Sequence, residues 1–245
     1  MIRTIVVVTV VLGFVSVSHA QLDTYFEDHF EGEALDSMWN TWGTGSYGLV
    51  DGDLEFVTET GALVDVYEAS AGVPHHMYLI DPPDYYTEWS AVARMRFNTP
   101  DETYEQVSLI SFQDTDSYVK WCYQQGGPGL ERVLLTDFGG SHSQQATVVP
   151  AYTDYFWLRL DRDGTTYTAY ASSDLTDDPN AVSWTQTGVL SNPIANPQVG
   201  VAGWNTLPDR SGELAEFDYF RLQGIPEPAT IGLFALAGLG LCRRR

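Results

Sequence analysis

Cysteine is nearly absent from this sequence of 245 residues, which holds only Cys122 and Cys242. Cys242 falls within the last few residues, in a segment that differs in composition from the rest of the chain. No disulfide is therefore expected within the main part of the chain, and a hydrophobic core has to hold its fold without covalent cross-links. About 200 residues are enough to bury such a core.

Basic residues are also scarce. The chain has 12 Lys and Arg against 33 Asp and Glu, and residues 21–224 hold 8 basic and 32 acidic residues, which is a net charge of −24. A surface of this sign repels the phosphates of nucleic acids and anionic lipids, so we expect no nucleic acid partner. It suits a soluble exported protein or a cation binder.

Long hydrophobic runs occur only at the two ends. Residues 1–20 contain Arg3, an apolar run over 5–17, and the small residues Ser18 and Ala20 on either side of His19. This pattern predicts a secretory signal peptide that is cleaved before Gln21. The run is too short for a membrane span of about 20 residues.

The second hydrophobic run, over residues 229–242, lies between a Pro-Glu-Pro triplet and three arginines. As a helix it would reach roughly 21 Å, against about 30 Å for the hydrocarbon core of a bilayer. The arginines would stay in the cytoplasm and leave the rest of the chain outside. We therefore expect a short transmembrane helix that serves as a transient anchor.

Helical periodicity is missing between the two ends. Ten or more short stretches rich in β-branched and aromatic residues alternate with turn sequences, and "EWSAVARMRF" alternates cleanly between apolar and polar residues. Without helices that could connect parallel strands, the sequence predicts an all-β fold, an antiparallel two-sheet jelly-roll sandwich. We expect a signal peptide over 1–20, one β-sandwich domain over 21–224, and a sorting segment over 225–245.

Several short motifs carry a resemblance to a known fold family. The segments "DHFEGEALDSMWNTW", "WLRLDRDGTTYTAYASSD" and "EFDYFRL" occur in this order. Together they resemble the concanavalin A-like, laminin-G-like sandwich modules that are found alone or beside glycosidases in secreted bacterial proteins. The chain departs from that family after Asp174. The family often has a short Ser-x-Asp-Gly turn just before a tryptophan, whereas here a longer loop separates Asp174 from Trp184.

The C-terminal segment resembles the PEP-CTERM sorting signal. Its three parts are the triplet, a run rich in Gly, Ala and Leu, and the terminal arginine cluster; the matching residues are Pro226, Glu227, Pro228, Arg243, Arg244 and Arg245. The resemblance implies recognition and cutting by an exosortase, a membrane-bound protease. It also implies export through the inner membrane, and placement at the cell surface or in the extracellular matrix once the tail is processed.

Catalytic motifs are not found. Laminarinase-type enzymes of the resembled fold carry two catalytic acids in a Glu-x-Asp-x-x-Glu pattern on one strand face. The nearest match runs from Glu216 through Asp218, but Arg221 stands in the place of the last acid. We therefore expect no enzymatic activity.

One structural calcium ion is a further expectation. In sandwiches of this type a calcium ion often ties the first strand to the last through carboxylates. Asp28 in the opening strand and Asp218 in the closing strand are the candidate ligands. The alternative is that these carboxylates accept hydrogen bonds from nearby backbone groups without metal.

Aromatic residues are the candidates for sugar binding, because sugar rings present apolar C–H faces to indole and phenol rings. Alternation places Trp121 with Tyr123 on one strand face, and Trp157 with Arg159 on another. The alternative for each aromatic residue is core packing. Trp39 and Trp42 are assigned to the core seam or to a sheet edge.

The combined hypothesis is an exported, exosortase-sorted surface or extracellular-matrix protein whose β-sandwich binds polysaccharide without catalysis. Two alternatives remain open at this point. One is a glycan-active enzyme of the glycosidase or lyase type. The other is a purely structural or adhesive matrix protein.

Overall fold

The structure is a computed structural model that describes residues 23–43, 45–58, 76–83, 86–97, 104–205 and 212–226. The predicted signal peptide and the apolar and arginine-rich parts of the tail lie outside these residues. Within them, no helix is long and apolar enough to cross a membrane.

In the described ranges the chain forms fifteen β-strands and no helix. In chain order, β1 to β15 are Asp23–Asp28, Asn40–Trp42, Gly48–Val50, Asp53–Val57, His76–Ile80, Tyr86–Phe97, Gln106–Asp114, Ser117–Gly126, Gly129–Phe138, Ser141–Val148, Phe156–Asp163, Thr166–Ser172, Thr185–Ser191, Gln198–Trp204 and Leu214–Pro226. The last strand ends at Pro226, within the triplet that opens the sorting segment.

The strands form two antiparallel sheets. The eight-stranded sheet has the order β13-β12-β11-β6-β15-β4-β3, with β1 also paired to β15. The seven-stranded sheet has the order β10-β9-β8-β7-β14-β5-β2. The prediction of an all-β, two-sheet antiparallel fold is therefore confirmed for the described part of the chain.

The core between the two sheets follows from alternation along the strands. In β6 the inward side chains are all buried in the central cluster, and they are Trp89, Ala91, Ala93, Met95 and Phe97. The intervening Arg94 and Arg96 point to the outer face, where they form ion pairs. Burying a large apolar side chain contributes about 1.5–3 kcal/mol relative to leaving it exposed, so this pattern fixes which face of β6 turns inward.

Strands β11 and β12 form a hairpin whose turn contains an Asp-Gly sequence. Asp163 pairs with Thr166, and Gly164 in the turn has a φ of 57°. Glycine adopts this left-handed conformation without the steric cost that a Cβ atom imposes.

A β-bulge in β15 changes which side chains share a face. The register with β6 shifts between Phe217 and Tyr219, so Phe217 and Phe220 both enter the core. Asp218 and Tyr219 both reach the outer face, where they meet Arg94 and Trp157 respectively. The bulge therefore places a carboxylate and a phenol side by side outside the core.

The edges of the two sheets are joined by a side chain. The Gln145 amide on β10 donates to the Val189 carbonyl and accepts from the Val189 N–H on β13, both at 3.0 Å. These two strands are the outermost strands of different sheets. Gln145 therefore closes one side of the sandwich.

Candidate functional site

The outer face of the eight-stranded sheet carries a small apolar cluster beneath a loop. Val92, Trp157, Val182 and Tyr219 are buried together there, and Trp184 packs on them. The loop over residues 173–184 contributes two of these side chains, and its Thr176 carbonyl accepts the indole N–H of Trp157 at 3.0 Å. The loop thus covers part of a face that strand alternation alone would leave open.

Beside this loop, four half-buried side chains form a row that we call the Arg159 row: Arg159, Asp161, Tyr170 and Trp184. The Arg159 guanidinium donates two hydrogen bonds to Asp161, at 2.7 and 2.6 Å. It also lies 4.9 Å from the ring centre of Tyr170 and 5.8 Å from that of Trp184. The row combines aromatic rings with fixed polar groups on a solvent-facing sheet.

The structure corrects the predicted roles of three aromatic residues. Trp121 and Tyr123 do share a face, but it is the inner face, where they are 1% and 0% exposed. Trp157 shares the outer face with Arg159 as predicted, yet it is 0% exposed beneath the loop. These three rings offer no surface to a sugar, so the alternative of core packing applies to them. Arg159 keeps its place as a candidate.

The polar atoms of these aromatic side chains are satisfied inside the protein. The Trp121 indole N–H donates to the Tyr170 carbonyl at 2.9 Å. The Tyr123 hydroxyl accepts from the Tyr152 backbone N–H at 3.3 Å. Their hydrogen bonds therefore position neighbouring strands and loops.

The two predicted calcium ligands are not brought together. Asp28 of β1 pairs with Phe220 of β15, whose side chain points into the core, so the Asp28 side chain is on the inner face. It accepts hydrogen bonds from the Phe30 N–H and the Trp39 indole N–H, each at 2.8 Å. Asp218 lies on the outer face and pairs with Arg94 at 2.7 Å. A shared ion between Asp28 and Asp218 is therefore not supported, and the hydrogen-bonded alternative describes Asp28.

A different group of carboxylates does converge on the outer face, and we call it the carboxylate cluster: Asp53, Glu55 and Glu216. Ligand oxygens of the three lie within 4.8 Å of one another. Arg96 donates to both oxygens of Glu216. A calcium ion at this position would have to compete with Arg96, so the cluster is already neutralised in part by a guanidinium group.

Tyr155 connects the carboxylate cluster to the two arginines of β6. Its hydroxyl donates to Asp53 at 2.6 Å, and its ring lies 4.8 Å from Arg94 and 4.9 Å from Arg96. Burial raises the pKa of Asp53, against the effect of the Tyr155 hydrogen bond. Burial and the charge of Glu216 raise the pKa of Glu55.

Asp218 has the most strongly shifted carboxyl group of this face. Burial raises its pKa from the ordinary value of 3.8 to about 6, although Arg94 acts in the opposite direction. One of its oxygens, Oδ1, is buried and has no hydrogen-bond partner among the residues that the structure describes. A carboxyl group with these properties titrates near neutral pH and carries a cost when it is ionised.

A second solvent-facing aromatic site lies on the other sheet and was not predicted. Trp42, assigned from sequence to the core seam or a sheet edge, lies on the edge strand β2 and is 39% exposed, whereas Trp39 belongs to the core. Its three-residue strand is too short to show a hydrophobic period. The only signal in the sequence is a tryptophan in a polar stretch.

The polar side chains around Trp42 form a chain of hydrogen bonds, and we call the set Trp42, Gln198, Asp81 and Asn40 the Trp42 platform. The Trp42 indole N–H donates to Gln198 at 3.1 Å. Gln198 donates to Asp81 at 2.8 Å, and Asn40 donates to the other oxygen of Asp81 at 2.9 Å. The Trp42 ring meets Phe112 edge-on, with ring centres 5.7 Å apart.

Comparison with family models identifies the C-terminal segment. Residues 224–245 match the model described as the PEP-CTERM protein-sorting motif. The chain therefore carries the signal of proteins that are exported through the inner membrane, sorted by an exosortase, and placed at the surface or outside the cell. The sequence prediction for the tail is confirmed at this level.

Comparison with solved structures shows the fold. The chain is similar to the GH43 protein BlXynB of Bacillus licheniformis, with 19% identity and a TM-score of 0.65 over 80% of this chain and 38% of that one. It is also similar to xylan β-1,4-xylosidase of Bacillus halodurans C-125, with 15% identity and a TM-score of 0.62 over 80% of this chain and 38% of that one. The chain thus spans about two fifths of the length of these two proteins.

A third similar structure has nearly the same extent as this chain. It is the CBM2 module of the evolved Dit of Lactobacillus casei BL23 phage J-1, with 9% identity and a TM-score of 0.56 over 84% of this chain and 96% of that one. No curated protein matches the chain at a significant level. The likenesses support the two-sheet sandwich, and the concanavalin A-like, laminin-G-like assignment stays a prediction.

Proposed function

We propose that this exported, exosortase-sorted protein binds polysaccharide through its β-sandwich without catalysis. The observation that carries the proposal is the Arg159 row. It presents Tyr170 and Trp184 together with the ion pair of Arg159 and Asp161 on the solvent side of a sheet.

The chemistry of the row suits a sugar ring. Aromatic rings pack against the C–H faces of pyranoses, while charged and amide groups hydrogen-bond the hydroxyls at the rim. Asp161 holds the Arg159 guanidinium in a fixed orientation through two hydrogen bonds, so little side-chain freedom would be lost on binding.

The comparisons support the proposal at the level of fold. The chain shares its fold with part of a GH43 protein, with part of a xylan β-1,4-xylosidase, and with a module that is named as a CBM2 module. Fold alone does not define function. The case for binding therefore depends on the Arg159 row.

A polysaccharide array with the purified chain tests the proposal. We expect reproducible binding to at least one polysaccharide, and at least a tenfold loss of affinity in Trp184→Ala, because that change removes an aromatic face from the row. Val148→Ala, an exposed position on β10 of the other sheet, is the matched control and should bind as the wild type does. Binding by no member of the array would favour the structural or adhesive alternative.

The glycan-active alternative has one observation in its favour. Asp218, with a pKa of about 6, lies in the range that general acids use near neutral pH. The guanidinium partners of Asp218 and Glu216 argue against it, because they hold both carboxylates in ion pairs. Release of reducing sugar from the array polysaccharides, abolished in Asp218→Asn, would establish the enzyme and refute the binding-only proposal.

A further inference from the structure

The Trp42 platform has the composition of a ligand site but is separate from the Arg159 row. Trp42 is the only tryptophan among the ten large apolar side chains that are exposed in the described part of the chain, and 39% of its surface is accessible. It lies across from Met77, on the outer face of the seven-stranded sheet. The Arg159 row lies on the outer face of the eight-stranded sheet, so the two sites are on opposite sides of the sandwich.

The rim of the platform carries hydrogen-bonding groups that remain available. Asn40 and Gln198 each donate one amide N–H to Asp81, which leaves each amide a second N–H. The side-chain amide oxygen of Asn40, Oδ1, makes no hydrogen bond in the part of the chain that the structure describes. Such paired donors and acceptors beside an indole ring match the hydroxyl groups at the edge of a pyranose.

We infer that the Trp42 platform is a second binding site, specific for neutral pyranose units, and that the module is bivalent. The inference rests on the proposed function, because the Arg159 row supplies the first site. Two sites on opposite outer faces bind two separate polysaccharide chains. The protein then cross-links neutral polysaccharide.

The neutral class follows from local and global charge. Asp81 places a carboxylate at the centre of the platform, with both oxygens bound to amide groups and no cation paired with it in the described residues. Residues 21–224 also carry a net charge of −24. Negatively charged uronate or sulfate groups would be repelled both by the Asp81 carboxylate and by the net negative charge of the domain.

A purely structural role for these four residues makes a different prediction. The hydrogen bonds from Trp42 and Asn40 attach the short edge strand β2 to β5 and β14. If that were their whole role, substitution would lower the melting temperature and leave sugar stoichiometry unchanged. A ligand site changes the stoichiometry.

Calorimetric titration of the full chain with xylohexaose, cellohexaose and mannohexaose measures the number of sites. We expect two sites for at least one of these neutral sugars. Trp42→Ala and Trp184→Ala should each leave one site, and the double variant none. Trp42→Phe keeps an aromatic ring at this position and should retain two sites. Phe138→Ala should also retain two sites, because it removes an exposed aromatic ring on β9, which four strands separate from β2.

The outcomes separate the two proposals. One site that is lost only in Trp184→Ala overturns the bivalent inference and keeps the proposed function. Binding of polygalacturonate oligosaccharides alone overturns the neutral class, and no binding at all overturns both proposals. If Trp42→Ala fails to fold, the NMR signal of the Trp42 indole N–H serves as the readout in its place. This signal is identified by its loss in Trp42→Phe. A shift of that signal on sugar addition supports the second site, and an unchanged signal refutes it.

Discussion

Asp28 stabilises an unusual backbone conformation beside the core. Phe30 has a φ of 54° although it carries a side chain, and that side chain is buried. A residue with a Cβ atom in this region costs about 1–3 kcal/mol, so the surrounding contacts must hold it there. The Asp28 carboxylate does so by accepting from the Phe30 N–H and from the Trp39 indole, which stacks on Phe30.

Replacing Asp28 with Ala should lower the free energy of unfolding by about 2–4 kcal/mol, because two donors lose a charged acceptor. Chemical denaturation measures this change. Asp36→Ala is the matched control, since Asp36 accepts from the Met38 N–H at 2.8 Å in an exposed turn. We expect the control to cost about 1 kcal/mol or less. Equal effects of the two variants would contradict the role given to Asp28.

Asp218 makes the stability of the fold depend on pH. Its pKa is about 6 in the folded protein and near the ordinary 3.8 when unfolded, so between these values the folded state holds a proton that the unfolded state has lost. Stability therefore falls as pH rises from about 4 to about 6. Asp53, Glu55 and Asp137, whose pKa values are also raised by burial, act in the same direction.

The wild type should accordingly melt at a higher temperature near pH 5 than near pH 7.5. Asp218→Asn removes the titrating group, and the difference between the two pH values should become smaller. Asp163→Asn, at an exposed position on β11, is the control and should keep the full difference. A melting temperature that rises from pH 5 to pH 7.5 would refute the assignment.

At the scale of elements, Gln145 shows how two sheet edges are held together. Its two hydrogen bonds to Val189 reproduce the pattern of a backbone pair between β10 and β13. Both groups are exposed, so Gln145→Ala should cost only about 1 kcal/mol. Gln144→Ala, whose side chain makes no hydrogen bond in the described residues, should cost less, and denaturation curves of the two variants test the difference. Indistinguishable curves would mean that the edges hold without this bridge.

The strands were predictable because alternation of apolar and polar residues is a local signal. β6 and the hairpin at Gly164 follow directly from their sequences. Alternation also paired Trp157 with Arg159 on one face. It does not report that a loop without periodicity folds over Trp157, nor that the face shared by Trp121 and Tyr123 turns inward.

The site depended on features that single-strand patterns do not contain. The bulge at Asp218 brings Tyr219 to the same outer face as that carboxylate, and a bulge leaves no mark in the alternation of β15 that could be recognised beforehand. Asp53 and Glu216 meet only because β4 and β15 are neighbours. Sequence separates these residues by more than half of the chain.

At the scale of the whole molecule, the fold and the sorting segment meet at the end of β15. The matched motif begins at residue 224, and Gly224 still pairs with Asp23 of β1 while Pro226 pairs with Tyr86 of β6. Removal of residues after Pro226 would leave every described strand intact. Removal that begins before residue 224 would take away pairing partners of both β1 and β6.

We therefore expect the surface-exposed form to end just after Pro226 and to lack Arg243, Arg244 and Arg245. Intact-mass measurement of that form tests this directly, and an intact Arg245 would contradict processing. Ending the chain after Pro226 by mutation should leave the melting temperature unchanged, while ending it after Phe220 should lower it strongly. Because the truncated chains differ only in β15 pairing, this contrast separates a tail that serves as an address from one that contributes to the fold.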